Sequence, residues 1–563
     1  MRRLLLIAGS IGIVAAVAIV PLTATRAGAH ERTFAVAGGA ALRDADHNRV
    51  DDALDARLPR MASSARVGAI ALFRAPVSVA GLRRSLGSFR VRASWNAVPG
   101  VSGVFSPGQL RALAKRSDLV RLEADRTYTA AMSTARRWYG VDQAVSDFAV
   151  TGDRSGALKT YSKTDVVACI VDTGLDAGHV DLNQGQVIAW KDFVNSRTSP
   201  YDDNGHGSHV AGILAGQGDG SWSYRGVAYG TALVGVKALD STGTASTTTI
   251  LSGVNFCVAN KATYNIKIIN LSLGSSASSD GTDALSRAVD AASDAGIVPV
   301  VAAGNAGPGA STIGSPGAAA KAITVCSIAD VGEKGFFEST FSSRGPTADG
   351  RIKPDVCAPG ESITSVRAGS GNGYTTLSGT SMATPFVAGV VALMLDANPS
   401  LTPATIKSDL MSTAQDWRSS GTDTETGAGR LQAYDAIKAA GAYTGTGPGV
   451  PSHFSSWTQS LSGTGKSDVW TIAVTKTTYP IALTLNVPGA TSAKDFDLYL
   501  EYWTGSAWSQ KAASESSTRQ ETIAYTPSAS GTYRVTVRSY AGSGSYYLDS
   551  SYGGTSPHLT TNG

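Results

Sequence analysis

The sequence predicts an α/β protein: a doubly wound, mostly parallel sheet with helices on both faces, preceded by a small α+β domain and followed by a C-terminal β-sandwich. Three observations lead there. Between about Ala131 and Gly441, apolar strand-like runs alternate with helical stretches, the pattern of a sheet buried on both faces. From Phe454 to Tyr552, short segments of alternating hydrophobicity are separated by Gly, Ser, Asn and Thr, the pattern of a sandwich. The 563 residues, 42% hydrophobic and only 16% charged, allow three or four structural units and exclude a small single module or a disordered chain. A net charge of +4 excludes a dedicated nucleic-acid binder, and 63 glycines without a G-X-Y period exclude a collagen-like chain.

In chain order, Met1–Ala29 reads as an export signal: Arg2 and Arg3, an apolar run from Leu4 to Val20, then Ala27-Gly28-Ala29 before His30. This predicts a secreted, extracellular protein with no membrane association after cleavage. An uncleaved anchor is disfavoured by the shortness of the run and by Gly9, Ser10 and Gly12 within it. Residues 30–64 are polar. There Asp44, Asp46, Asn48, Asp52 and Asp55 have the spacing of a calcium loop, but Arg49 stands where the sharp turn wants glycine and Asp55 where glutamate is usual. A solvated acidic linker is the plainer reading.

Residues 65–130 form the α+β unit, with strands at Val67–Phe73 and Phe89–Trp95, a helix near Val79–Leu86, and a second helix opened by Ser106 and Pro107. Residues 131–441 form the main domain. Its expected strands are Val166–Val171, Leu233–Ala238, Lys267–Leu271, Ile297–Val301 and Ile323–Ile328, and its expected helices His206–Ala215, Thr247–Asn260, Thr282–Ala295 and Ser381–Ala397. A Gly/Pro-rich linker covers 442–453, the sandwich 454–552, and a disordered tail 553–563. The four cysteines, Cys169, Cys257, Cys326 and Cys357, are too few for a disulfide scaffold. Buried thiols and one or two bridges stand equally, with three full pairings open.

Four local signals carry chemistry. VVACIVDTG is an apolar strand that ends on Asp172, where α/β sheets place their sites. DDNGHGSHVAG opens a helix with the glycine-flanked His206, and SGTSMATPFVAGVVALML places Ser381 at the start of a buried helix. PVVAAGNAG runs a buried strand into Asn305, whose amide suits an oxyanion donor. Singly, each has a bland reading as turn former, surface histidine, helix cap or turn asparagine. Together Asp172, His206 and Ser381 supply orienter, base and nucleophile.

These motifs, DTG at Asp172, HGSHVAG at His206, AAGN at Asn305 and GTSMATP at Ser381, resemble those of the subtilisin-like serine proteases, although Ser208 stands where threonine is common. The resemblance implies a secreted serine endopeptidase that cleaves protein or peptide substrates through an acyl-enzyme, with no catalytic metal, acting as a monomer. It implies that Ser272, Leu273 and Gly274 pair with the substrate backbone opposite Gly243, and that Gly304 and Gly314 wall an uncharged primary pocket suited to apolar side chains. It implies a structural calcium, with Asp181 a ligand and Gly216–Gly220 supplying carbonyl oxygens; a capping carboxylate is the alternative for Asp181. The segment ending near Tyr128 resembles the family's inhibitory propeptide, so the chain is expected to be a self-processing zymogen inhibited by its own propeptide and cut between Asp125 and Arg137. The C-terminal unit resembles the bacterial pre-peptidase C-terminal domain.

Three other readings fit the residues less well. A zinc hydrolase using His179, Asp181, His206 and His209 lacks the HExxH spacing and its glutamate. An inactive binding protein would have lost a residue of the set. An α/β-hydrolase esterase would carry a G-x-S-x-G elbow around Ser381.

Overall fold

The structure, a computed structural model, describes residues 48–50, 52–95, 99–124, 132–329, 338–417, 421–445, 447, 452–487, 494–516 and 520–561. The expected export signal, Asp44, Asp46 and most of the expected processing stretch lie outside these residues. The described residues up to Ala124 form one compact unit and those from Met132 onward a second.

The first unit is α+β. Its sheet has the order β2 (Arg90–Trp95), β3 (Gly100–Phe105), β1 (Val67–Phe73), β4 (Leu119–Ala124), and every pair is antiparallel. Two helices, Val79–Leu86 and Pro107–Ala114, are both capped by serine, the second at the expected Ser106. The Ser78 hydroxyl accepts from Gly81 N–H, and Ser106 forms a reciprocal capping box with Gln109. Val67, Ala69, Phe73, Phe105, Leu110 and Leu122 pack into its core.

The second unit is built on a seven-stranded parallel sheet. Its strands are β5 (Val167–Asp172), β6 (Val187–Asp192), β7 (Ala232–Lys237), β8 (Ile266–Leu271), β9 (Val298–Ala302), β10 (Ile323–Ala329) and β11 (Val356–Glu361), in the order β11-β10-β9-β8-β5-β7-β6. Alternate side chains of β5 enter opposite cores. Ala168 and Ile170 pack in one cluster with Val210, Ile213, Phe386 and Val390; Val167, Cys169 and Val171 pack in the other with Val254 and Val289. The helix Thr380–Ala397 is apolar on nearly every side because it is buried on nearly every side. The strand order reverses at β5: the chain leaves it toward β6 and β7 on one side and returns through β8 on the other. This puts a crevice at the carboxyl ends of β5 and β8.

Of the seven strands of this sheet the sequence reading missed two, and both lie at its edges. β6 is only half-buried, so its pattern is weak, and β11 contains Pro359 and Gly360, which read as a turn but are tolerated on an edge. A short hairpin of β12 (Ile363–Val366) and β13 (Tyr374–Leu377) follows. Both disulfides form: Cys169 of β5 bonds Cys257 in the helix Thr247–Ala259, and Cys326 bonds its register partner Cys357 across β10 and β11. No free thiol remains among the described residues.

The C-terminal sandwich contains β14 (Ser452–Leu461), β15 (Ser467–Lys476), β16 (Ile481–Asn486), β17 (Asp495–Trp503), β18 (Trp508–Ser514), β19 (Gln520–Tyr525), β20 (Gly531–Ala541), β21 (Gly544–Gly554) and β22 (His558–Thr561). They run in the order β18-β17-β20-β15-β21-β16-β19, with β14 on β21 and β22 on β15. The expected disordered tail is corrected: backbone pairing of β22 to β15 orders the chain to Thr561. Likewise β14 begins inside the stretch expected to be linker. The sandwich is joined to the α/β core, since Trp417 Nε1 donates to Asp549 Oδ2 at 2.9 Å, Trp138 packs edge-on against Tyr479, and Ala482 belongs to the main core cluster.

Candidate active site

Asp172 ends β5 at the crevice, buried to 1% exposure. Its Oδ1 accepts from Thr173 N–H at 2.7 Å and meets His206 Nδ1 at 2.7 Å; its Oδ2 is buried without a hydrogen-bond partner. The uncompensated charge faces the imidazole. Burial opposes protonation of His206 most strongly, but the Asp172 charge and hydrogen bond outweigh it, and the pKa lies above the ordinary histidine value. His206 is the first residue of the helix His206–Ala215, entered through Gly205 at φ +103°. Gly207 is required by contact: a Cβ there would meet Gly174 O at 2.2 Å and the Asp172 Cβ at 3.1 Å.

Asp202, which the sequence reading did not single out, ties this corner together. Its Oδ1 accepts from Thr173 Oγ1 and Gly205 N–H, and its Oδ2 from Ser208 N–H and Oγ. Ser208 thus makes the hydroxyl contact here, so the departure from threonine is conservative. Lys237, at the end of β7 and fully buried, donates to Thr173 O, Leu239 O and Asp203 Oδ1. A lysine inside the apolar run LVGVK was the available sequence signal for it.

Ser381 lies in the first turn of the helix Thr380–Ala397, where backbone N–H groups have no intrahelical acceptor. Pro385, four residues on, has no N–H for the Ser381 carbonyl, which instead accepts from Ser272 Oγ at 2.9 Å. In return Ser381 Oγ donates to Ser272 O at 3.0 Å. Ser381 Oγ is therefore not hydrogen-bonded to His206 in this structure; bonds between a nucleophile and its base commonly tighten only when substrate is bound. Asn305 Oδ1 accepts from both the N–H and the hydroxyl of Thr380, at 3.0 and 2.9 Å, which assigns Nδ2 as the free donor.

A cavity of about 750 Å³ is lined by His206, Ser381, Asn305, Ser272, Leu273, Gly274 and Gly243 among others. Gly304 and Gly314 do not line it. The cavity also carries one carboxylate in its lining, Asp283. The sequence reading missed it because DALS reads equally as an ordinary helix cap, which it also is.

His209 and His179 are bonded to backbone groups. His209 Nε2 lies 3.1 Å from both Ile363 O and Thr375 O, and burial, with the nearby His206, pushes its pKa down to about 3. His179 Nε2 bonds Gly373 O, and its Nδ1 accepts from Asp181 N–H. The place expected for calcium does not fit a cation: Asp181 Oδ1 accepts from Gly220 N–H and Oδ2 from Tyr374 OH, so the loop offers the carboxylate an amide hydrogen and not a carbonyl oxygen. In the N-terminal segment Asn48 Nδ2 donates to Asp55 Oδ2, and Asp52 opens the helix Asp52–Arg57. Among the described residues no group of three or more His, Cys, Asp or Glu side chains is placed to hold a metal.

Comparison with known proteins gives matches in both halves of the second unit. The profile of the subtilase family (peptidase S8) matches residues 163–429, and that of the bacterial pre-peptidase C-terminal domain matches residues 466–539. Serine protease AprX of Bacillus subtilis (strain 168) is 36% identical over 375 residues, 62% of this chain and 81% of that protein. Subtilisin of Bacillus pumilus is 39% identical over 257 residues, 45% of this chain and 85% of that protein. Among solved structures, Sphericase aligns at 30% identity with a TM-score of 0.44, covering 54% of this chain and 99% of that one.

Proposed function

The chain belongs to the subtilase family and is a serine protease that hydrolyses proteins; from that premise we propose that Asp172, His206 and Ser381 are its catalytic triad and Asn305 its oxyanion donor. The observation that carries this is the 2.7 Å bond between the buried Asp172 and His206, at the mouth of the cavity that also holds Ser381 and Asn305.

Turning Ser381 Oγ away from the Ser272 carbonyl toward His206 lets the imidazole take its proton as the oxygen attacks a peptide carbonyl. Asp172 holds the Nδ1–H tautomer and stabilises the imidazolium. The tetrahedral oxyanion lies between Asn305 Nδ2 and Ser381 N–H, donors already in place before the charge develops. His206 returns the proton to the leaving amine, and water repeats the cycle on the ester. Ser272–Gly274 and Gly243 border the substrate strand, so backbone pairing supplies affinity with little sequence preference.

We further infer that the chain is secreted as a zymogen, that the α+β unit is its inhibitory propeptide, and that self-cleavage falls between Asp125 and Arg137. The protein is then a monomer with its sandwich attached. Calcium binding is typical of the family, but it enters no step here, because Asp181 is held by two protein donors.

The test compares wild type with Ser381→Ala on casein, with the intact mass of each chain. Wild type should cut casein and lose its N-terminal unit, and Ser381→Ala should do neither. Full activity in Ser381→Ala overturns the triad; a processed but inert wild type overturns the protease reading of the site.

A further inference from the structure

The mechanism leaves one ionisable group in the cavity unused. Among the described lining residues only His206 and Asp283 ionise. Asp283 precedes the helix Ala284–Asp294, and its carboxylate is held by five neutral donors. Leu285 N–H, Ser286 N–H and Ser315 Oγ bond Oδ1, and Ser279 Oγ and Ser286 Oγ bond Oδ2. Burial opposes ionisation, but the hydroxyl and amide donors outweigh it and hold the pKa at about 2, so the group is an anion wherever the enzyme works.

Neutral donors fix a carboxylate without cancelling its charge. No lysine, arginine or histidine of the described residues forms an ion pair with Asp283. The nearest basic residue on its own helix, Arg287, turns its Nε to the Thr282 carbonyl. Beside the carboxylate the cavity wall is aliphatic: Ile250, Leu273 and Leu285. An apolar wall that ends in a fixed anion without an ion-pair partner among the described residues matches a side chain with an aliphatic stem and a cationic head. A helix cap alone does not require this charge, since Ser, Thr or Asn serve as well.

We propose that Asp283 makes this end of the cleft a subsite for a lysine or arginine side chain of the substrate, at a position removed from the scissile bond. The stem lies along Leu273 and Leu285, and the head faces Asp283. The inference rests on the protease reading above and adds a specificity determinant to it.

The test uses the processed full-length enzyme and quenched fluorescent peptides varied one position at a time over several residues on each side of the bond. At one position away from the bond, lysine and arginine should exceed norleucine, which has the stem without the charge, by about five- to tenfold in kcat/KM. That ratio should fall as sodium chloride is raised, and it should drop to about one in Asp283→Asn, whose side chain still caps the helix. The salt series on wild type decides the matter even if the variant is unstable. No cationic preference at any such position, or a preference that survives in Asp283→Asn, overturns the subsite. If wild type cleaves none of the peptides, norleucine references included, the protease reading fails first and the subsite with it.

Discussion

Gly207→Ala tests whether the contact between the helix carrying His206 and the end of β5 sets the geometry of the site. The added methyl would meet Gly174 O at 2.2 Å and Asp172 Cβ at 3.1 Å. An unstrained carbon–oxygen contact is about 3.3 Å, so the two backbones must part by roughly 1 Å, and neither has a flexible side chain to yield. Overpacking of this kind costs about 1–3 kcal/mol, which lowers Tm by a few degrees in a domain of this size. The larger effect is on catalysis, because the displaced helix begins with His206. A misplacement of about 1 Å costs on the order of 10²-fold in rate. Thermal unfolding and kcat/KM on a peptide ester, measured on the same processed protein, read the two effects separately. A variant that stays folded and retains kcat/KM within about threefold of wild type would refute the reasoning.

Three further outcomes follow from the site and its surroundings. Because Asp172 raises the pKa of His206 and the proposed mechanism needs the neutral imidazole, the acid limb of kcat/KM should fall above the ordinary histidine value; in Asp172→Asn burial is opposed only by the smaller effect of the Asp202 charge, and the residual activity should show that limb at lower pH. Asp181→Asn should lower Tm by the same amount in calcium and in chelator, since the amide keeps one acceptor and turns a donor toward the second of its two partners, Gly220 N–H and Tyr374 OH; a loss seen only in calcium would restore the metal site. Trp417→Phe removes the indole donor to Asp549, and differential scanning calorimetry should show about 1–3 kcal/mol lost from the unfolding of the α/β core and sandwich; an unchanged transition argues against that contact.

How far the sequence carried the reading depends on what kind of information each element needs. Asp172 closing an apolar strand, His206 between glycines and Ser381 opening a buried helix are local patterns, and the structure places the first two in contact and the last two in one cavity. The helix His206–Ala215 and the strand Val67–Phe73 begin and end where their patterns do. What escaped is relational. Cys326 and Cys357 pair because parallel strands β10 and β11 lie in one register, which no spacing along the chain reveals. Asp283 joins the cavity only because its helix packs beside Leu273, and Tyr374 reaches Asp181 from 193 residues away. Pro385 was legible as a proline near a helix start; that its missing N–H frees the Ser381 carbonyl for Ser272 appears only once β8 is laid against that helix.

The join between sandwich and α/β core bears on what a protease can do to this chain. A cut in the connecting stretch before β14 would break the backbone while leaving the buried Trp417–Asp549 bond, the Trp138–Tyr479 packing and the seat of Ala482 in the main core. Two bands on a denaturing gel would then run as one particle in solution. Loss of the sandwich from the enzyme is in this sense a dissociation, governed by the same contacts that hold the fold, and a nick alone does not release it.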